Sequence, residues 1–140
     1  MFPKLTVACA IAAFFLFIGC ITLARSAGET VVLRTIDNDT GRNHLASQER
    51  GTRLWVVDEG GRAWVLGRPG TGWYERARTW PVVVLVRGGE AVTYRANVVN
   101  TPATRAGILG ALALKYGLKH VSLFYSVDEV VPIRLDPIRP

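Results

Sequence analysis

The residues best suited to chemistry lie in one short stretch, residues 67–76, which reads GRPGTGWYER. Glycines let backbone N–H groups approach an anion closely, and guanidinium groups donate forked hydrogen bonds to phosphate or carboxylate. Trp and Tyr rings can stack on a flat molecule. The stretch therefore suits a flat ligand with a negative tail, and its candidate contacts are Arg68, Gly70, Trp73, Tyr74 and Arg76. A purely structural role is the alternative, because Trp at helical spacing usually packs in a core and a surface Arg is usually solvated.

Other chemical groups are sparse in the chain. His44 and His120 are its only histidines, and its two cysteines, Cys9 and Cys20, lie in an apolar N-terminal run, which argues against a zinc site. No nucleophile motif, phosphate-binding P-loop or dinucleotide glycine pattern is present. We therefore assign no catalytic residue and no metal ligand. Whether the protein is an enzyme stays open, and any redox chemistry would have to come from a cofactor.

The N-terminal run is an uncharged apolar segment at residues 5–24. Its length is sufficient for one helix to cross a bilayer, which takes about 20 residues. We expect a single-pass membrane anchor within residues 1–27, with Lys4 favouring a cytoplasmic N-terminus. Two alternatives remain open: a signal peptide cleaved near Ser26, leaving a secreted or periplasmic protein, and a lipid attached at Cys20.

The remaining residues, 28–140, are enough for one domain with one core. The formal charge of the 140-residue chain is +6, and it falls to +4 once Lys4 and Arg25, which flank the apolar segment, are set aside. So mild a charge, without a concentrated basic stripe, argues against a nucleic-acid partner.

Six segments have the composition of strands. Paired glycines, Gly60-Gly61 and Gly88-Gly89, predict two hairpins among them. The segments at 53–58 and 62–66 are apolar on both faces, which indicates a closed barrel covered by a helix or a partner, with Trp55 and Trp64 in the barrel core. Pro132 predicts an edge or a bulge for the last strand. The segments are residues 30–36, 53–58, 62–66, 82–87, 90–96 and 130–135.

Two helices are predicted. The first covers residues 70–80, with Trp73, Ala77 and Trp80 on one face. The second begins at Thr101, an N-cap followed by proline, and ends at Gly117. Its core-facing stripe is predicted to consist of Ile108, Leu109, Leu112 and Tyr116.

Several short motifs, in this order along the chain, resemble the split-barrel flavin-binding families. The resemblance is strongest to deazaflavin-dependent nitroreductases and to a related family with a Gly-x-Trp-Tyr-x-Arg loop. The motifs are Leu33-Arg34-Thr35, Thr40-Gly41-Arg42, Leu54-Trp55-Val56-Val57-Asp58, Gly72-Trp73-Tyr74 and Val131-Pro132-Ile133.

The resemblance implies an α+β fold, a six-stranded split β-barrel of the FMN-binding type. It also implies a bound deazaflavin coenzyme F-420 or FMN, and hydride transfer to a quinone or nitroaromatic acceptor. By the same resemblance, Arg42 lies where the family binds cofactor phosphate, and Arg68 lies in a basic loop before the Trp-Tyr pair. Barrels of this kind often pair as homodimers.

Two hypotheses about function follow. In the first, the protein is a membrane-anchored oxidoreductase that passes hydride to a lipophilic acceptor, since quinones dissolve in the bilayer. In the second, it is a non-catalytic, membrane-tethered binding or interaction module that has lost the cofactor. The second hypothesis arises because the Ser-Gly pair that completes the family's phosphate loop is absent after Arg42.

Overall fold

A computed structural model of the chain describes residues 29–37 and 48–139. The predicted anchor at residues 5–24, the rest of the N-terminal unit at 1–27, and Arg42 lie outside the described residues. Among the helices that are described, none has the length and apolarity that crossing a membrane requires.

The described chain folds into seven strands and three helices around one sheet. In chain order these are β1 (Val31–Asp37), β2 (Gln48–Leu54), β3 (Val57–Glu59), β4 (Arg62–Gly67), α1 (Gly72–Thr79), β5 (Val82–Arg87), β6 (Glu90–Val98), α2 (Pro102–Tyr116), α3 (Leu118–Phe124) and β7 (Val131–Pro137). The α+β class is as predicted, whereas the sheet has seven strands in place of the expected six.

The sheet is antiparallel and curled into a half-barrel. Its strand order is β2-β1-β5-β6-β7-β4-β3, so β2 and β3 occupy opposite edges. Only Trp55 and Val56 separate them in the chain, which limits the distance between their ends to about 11 Å. Strands about 4.8 Å apart would place the edges of a flat seven-stranded sheet about 29 Å from each other. The short link therefore requires the sheet to curl until its edges approach.

The single strand predicted for residues 53–58 is wrong, because this link interrupts it. The backbone groups of Val56 bond to a side chain of α2: the Val56 N–H donates to the Tyr116 hydroxyl at 3.2 Å, and the Val56 carbonyl lies 2.9 Å from the same oxygen. The Lys115 ammonium also donates to that carbonyl at 2.8 Å. These bonds take the place of strand pairing and allow the chain to pass from one edge to the other.

Strand β4 explains how the barrel and α2 share a core. Ala63 and Val65 point into a cluster with residues of β1, β5 and β7, which is the barrel interior. Trp64 and Leu66 point the other way, into a second cluster beneath α2. The two-faced apolar pattern of residues 62–66 thus predicted a covered strand correctly. Trp64 is buried, but under α2 and outside the barrel interior.

Local signals placed the two predicted helices well. The Thr101 hydroxyl accepts from the Thr104 N–H at 3.1 Å, and α2 ends at Gly117, where φ is 92°. Along α2 the predicted stripe is buried at Ile108, Leu112 and Tyr116. Helix α1 also forms, but Trp80 does not share its buried face.

The prediction of an edge or a bulge at Pro132 is wrong, because its strand lies inside the sheet and the register of that strand is unbroken. Strand β7 lies inside the sheet, between β6 and β4. Pro132 is its second residue and pairs with Leu66 of β4, while the β6 pairing begins only at Ile133. Its carbonyl accepts from the Val99 N–H at 3.0 Å, so an interior strand tolerates the missing proline N–H at this end.

Candidate functional site

A cleft of about 370 Å³ opens where β2, the end of β4, the start of α1 and the end of α3 meet. This volume is at the lower end of the range usual for small-molecule sites, about 300–1,000 Å³. Two guanidinium groups and four aromatic rings are among its lining side chains: Arg53, Arg68, Trp55, Trp73, Phe124 and Tyr125. Basic forks and flat rings therefore line the same cavity.

Trp55 forms the centre of the aromatic wall. Its ring stacks on Tyr116 with centroids 4.9 Å apart and planes inclined by 12°. Phe124 meets it edge-on at 5.4 Å, and Tyr125 lies at 5.9 Å. The prediction that Trp55 lies in the barrel core is wrong, because the interruption between β2 and β3 turns it toward α2 and the cleft. Its neighbours hold the indole in one orientation.

Arg68 connects the loop after β4 to α3. Its Nη2 donates to the Phe124 carbonyl at 2.6 Å, and its own carbonyl accepts from the N–H and the hydroxyl of Thr71 at 3.2 and 2.7 Å. A guanidinium carries five N–H donors. Arg68 can therefore keep its bond to α3 and still bind an anionic ligand.

Trp73 and Tyr74 are neighbours in sequence but face different surroundings. Both are buried and belong to the barrel-interior cluster, with ring centroids 6.3 Å apart and planes at 86°. Trp73 also borders the cleft. Tyr74 instead packs over Gly67 and borders a separate cavity of about 210 Å³ beside Pro81 and Ile133. Of the adjacent pair, only Trp73 reaches the cleft.

The remaining candidate residues already have partners within the protein. Gly70 lies in a turn at φ +86°, and its N–H donates to the Glu75 carboxylate at 3.1 Å. The Arg76 Nε donates to the buried hydroxyl of Thr35 in β1 at 2.8 Å. The structure thus brings Arg68 and Trp73 together and places Gly70, Tyr74 and Arg76 outside the cleft lining, while Arg42 is not among the described residues.

Sequence reasoning missed four of the six charged and aromatic lining residues. Arg53 and Trp55 were assigned to a continuous strand, which concealed their position at its interruption. Phe124 is the last residue of α3, a short helix that was not predicted, and Tyr125 follows it. Nothing in the sequence around Tyr125 other than its aromatic type pointed to the cleft. Burial raises the pKa of its phenol, although the positive charge of Arg68 acts in the opposite direction. Tyr125 therefore stays protonated at neutral pH.

A polar network fixes the first described residues beside this cleft. Arg87 donates to Glu29 at 2.6 Å and to Asp58 at 2.7 Å, and Lys115 forms a further ion pair with Glu29. Hydrogen bonding from Arg87 lowers the pKa of Asp58. Burial works to raise the pKa of Glu29, but the bonds from Arg87 and Lys115 outweigh it and lower that pKa. Both carboxylates are therefore charged at neutral pH.

Comparison with known proteins gives structural matches and no sequence matches. No protein-family model matches the chain, and no curated protein matches its sequence.

Similar solved structures include HutZ, the heme storage protein of Vibrio cholerae, with a TM-score of 0.64, 12% identity, and coverage of 87% of this chain and 89% of that one. A candidate pyridoxamine 5'-phosphate oxidase from Listeria innocua has a TM-score of 0.60 and 11% identity, with 89% and 94% covered. A NimC/NimA family protein from Clostridium acetobutylicum has a TM-score of 0.58 and 14% identity, with 79% and 75% covered.

Identities this low establish the fold alone, and they do not single out the deazaflavin-dependent nitroreductases within the wider group. The chain therefore has the split-barrel fold shared by the pyridoxamine-phosphate-oxidase-like and Nim-type proteins.

Proposed function

We propose that the protein is a membrane-anchored split-barrel protein that binds a flat, anionic cofactor of the flavin class, FMN or a deazaflavin, in the aromatic cleft. The observation that carries this proposal is the meeting of Arg53 and Arg68 with Trp55 and Trp73 around one cavity. Such a donor set fits a molecule with an aromatic ring system and a phosphate tail.

The residues of the chain would divide the binding between them. Trp55 and Trp73 offer ring surfaces for stacking, and Arg53 and Arg68 offer forked donors for phosphate. Tyr125, kept protonated by burial, adds a hydroxyl donor. A bound flavin or deazaflavin supplies hydride transfer to an acceptor such as a quinone or a nitroaromatic compound. The protein's part is to bind, orient and shield that group.

The class of ligand has support from structures of the same fold. Two of them are named for pyridoxamine 5'-phosphate and for heme. Both molecules are flat aromatic systems with anionic groups. A lipophilic acceptor is proposed because the apolar segment at residues 5–24 is long enough to hold the protein at a bilayer, where quinones dissolve.

A second candidate function, a non-catalytic binding module without cofactor, is favoured by a different observation. The Gly70 N–H is bonded to Glu75, and the Arg76 guanidinium is bonded to Thr35. The Gly70 N–H is thus occupied by a partner inside the protein, and the Arg76 bond to β1 holds a guanidinium that does not line the cleft. The missing Ser-Gly after Arg42 points the same way.

Titration of the full-length protein in mild detergent separates the two functions. FMN and a deazaflavin are added in turn while tryptophan fluorescence is followed, since Trp55 and Trp73 line the cleft. The proposal expects saturable quenching by at least one of them. Absence of quenching at high micromolar concentration of both would favour the non-catalytic module.

Arginine variants test whether the cleft is the binding site. Arg68→Gln and Arg53→Gln should each weaken binding about tenfold or more, because a hydrogen bond to a charged group contributes about 1.5–3 kcal/mol. Arg95→Gln removes the same charge from an exposed position on β6 and serves as the matched control. Binding that survives both cleft variants would place the cofactor elsewhere.

A further inference from the structure

The most exposed large apolar side chains among the described residues are concentrated around α3. Leu114, Leu118, Leu123 and Phe124 are exposed by 91%, 72%, 72% and 58%, whereas no other large apolar residue that the structure describes exceeds 47%. We call these four residues the α3 apolar surface. Clustered exposure of this kind is typical of an interaction site. Val121 is the one fully buried side chain of helix α3, and the other contacts described for this helix, those of Phe124 with Trp55 and Arg68, lie at its end.

Positive charge accompanies this surface. Lys119 is exposed on α3, neither α2 nor α3 contains an acidic residue, and the first acids after α3 are Asp128 and Glu129. Leucine and phenylalanine together with lysine is the combination found in helices that lie in the headgroup region of a bilayer. The charge therefore complements an anionic lipid surface and opposes a basic partner.

The chain leaves the described domain close to the α3 apolar surface. Glu29 is held by the ion pair with Lys115, which follows Leu114 directly in α2. Four residues, 25–28, join Glu29 to the apolar segment that ends at Ala24. So short a connection reaches at most about 18 Å. A bilayer that holds residues 5–24 would thus lie within reach of Leu114 and α3.

We infer that the α3 apolar surface docks onto an anionic phospholipid bilayer, so that α3 lies in the headgroup region. This inference rests on the membrane anchor of the proposed function. Phe124 belongs both to this surface and to the cleft lining. Docking therefore places the mouth of the cleft against the membrane, where a lipophilic acceptor reaches it without crossing water.

The test uses the full chain reconstituted in vesicles of phosphatidylcholine and phosphatidylglycerol. Cys9→Ser and Cys20→Ser leave one introduced cysteine, Leu123→Cys, to carry an environment-sensitive fluorophore. Lipids with a quencher high in the acyl chain should reduce its emission by about half, and the emission should shift to shorter wavelength. The matched control is Thr79→Cys. Thr79 is exposed and lies near the start of β5, whose far end carries Arg87 and its bond to Glu29. We expect the emission of that label to be neither quenched nor shifted, because it remains exposed to water.

A second variant tests the charge. Lys119→Gln should lower the ratio of docked to undocked label about fivefold in vesicles with phosphatidylglycerol, because one basic residue near an anionic surface contributes about 1 kcal/mol. In pure phosphatidylcholine the same variant should have little effect.

The possible outcomes separate this inference from the anchor. Extraction of the full chain by alkaline carbonate would overturn the anchor and the inference together. If the chain stays in the membrane but the label at position 123 shows the same water-exposed emission as the label at position 79, the inference alone is overturned. A shifted but unquenched label would also overturn it. If that shift depends on protein concentration, a second copy of the chain covers the α3 apolar surface. If it does not, the N-terminal segment covers it.

Discussion

At the scale of single residues, Tyr116 connects the fold to the candidate site. Its hydroxyl accepts from the Val56 N–H at 3.2 Å and lies 2.9 Å from the carbonyls of both Val56 and Glu29. One O–H donates to one carbonyl at a time. The ring of the same residue stacks on Trp55. A single side chain thus satisfies the backbone at the strand interruption and positions the indole that lines the cleft.

We expect Tyr116→Phe to lower the free energy of unfolding by about 1–3 kcal/mol, because it leaves a buried N–H without its acceptor. Urea denaturation followed by circular dichroism measures the change. Tyr94→Phe, at a half-buried position on β6, controls for the loss of a phenol oxygen. Equal losses of unfolding free energy in the two variants would show that the hydrogen bond to Val56 does not stabilise the fold.

At the scale of elements, the close approach of α1 to β4 depends on a glycine. A Cβ on Gly67 would lie 2.4 Å from Cδ2 of Tyr74 and 3.2 Å from Cδ1 of Ile133. The Tyr74 ring is buried and has little room to move. Gly67 therefore allows α1 to lie against the end of β4, which brings Trp73 and Arg68 to the same cleft.

Gly67→Ala should destabilise the protein by about 1–3 kcal/mol through overpacking. Gly107→Ala is the matched control. A Cβ at this position inside α2 meets nothing within 4 Å. That second change should stabilise the protein by about 0.5–1 kcal/mol, the helix propensity gained over glycine. Thermal unfolding of both variants checks the opposite signs, and the same sign for both would refute the packing argument.

At the scale of the whole molecule, one polar network joins parts that are distant in sequence. Arg87 at the end of β5 bonds to Glu29, which precedes β1, and to Asp58 in β3. Lys115, near the end of α2, joins the network through its ion pair with Glu29. The network therefore holds one edge of the curled sheet, the exit of the N-terminal segment and the helix that covers the barrel in one arrangement.

The free energy of unfolding should decrease at acidic pH because of this network. The folded-state pKa values of Asp58 and Glu29 are lowered, so their contribution is complete above the unfolded-state value of about 4 and is lost as the pH falls through the lower folded-state values. Unfolding free energies measured by urea titration at several acidic pH values should therefore decrease toward low pH.

The decrease should be shallower in Arg87→Gln, which removes the Arg87 bonds to both carboxylates and leaves only Lys115 to lower the pKa of Glu29. Arg95→Gln, which takes a positive charge from β6, should retain the steeper dependence of the unaltered protein. An unchanged slope in Arg87→Gln would mean that other groups cause the acid sensitivity.

The sequence by itself determined the features that depend on neighbouring residues. Thr101 and Gly117 bound α2 because capping is a local interaction. The paired glycines form the turns of two hairpins because both residues of each pair adopt positive φ, 59° and 72° in one and 57° and 81° in the other. The two-faced apolar pattern of β4 indicated a strand covered on both sides, since burial acts on each side chain separately.

Only the tertiary structure decided which distant residues meet. It interrupts the strand at Val56, where Tyr116, sixty positions further along the chain, supplies the hydrogen bonds. It places Pro132 in an interior strand and turns Trp55 out of the barrel. It also separates Tyr74 and Arg76 from the cleft that Arg68 and Trp73 share. These outcomes depend on how the sheet curls and on which strands become neighbours, and contacts between residues far apart in the chain leave no periodic or capping pattern in the sequence.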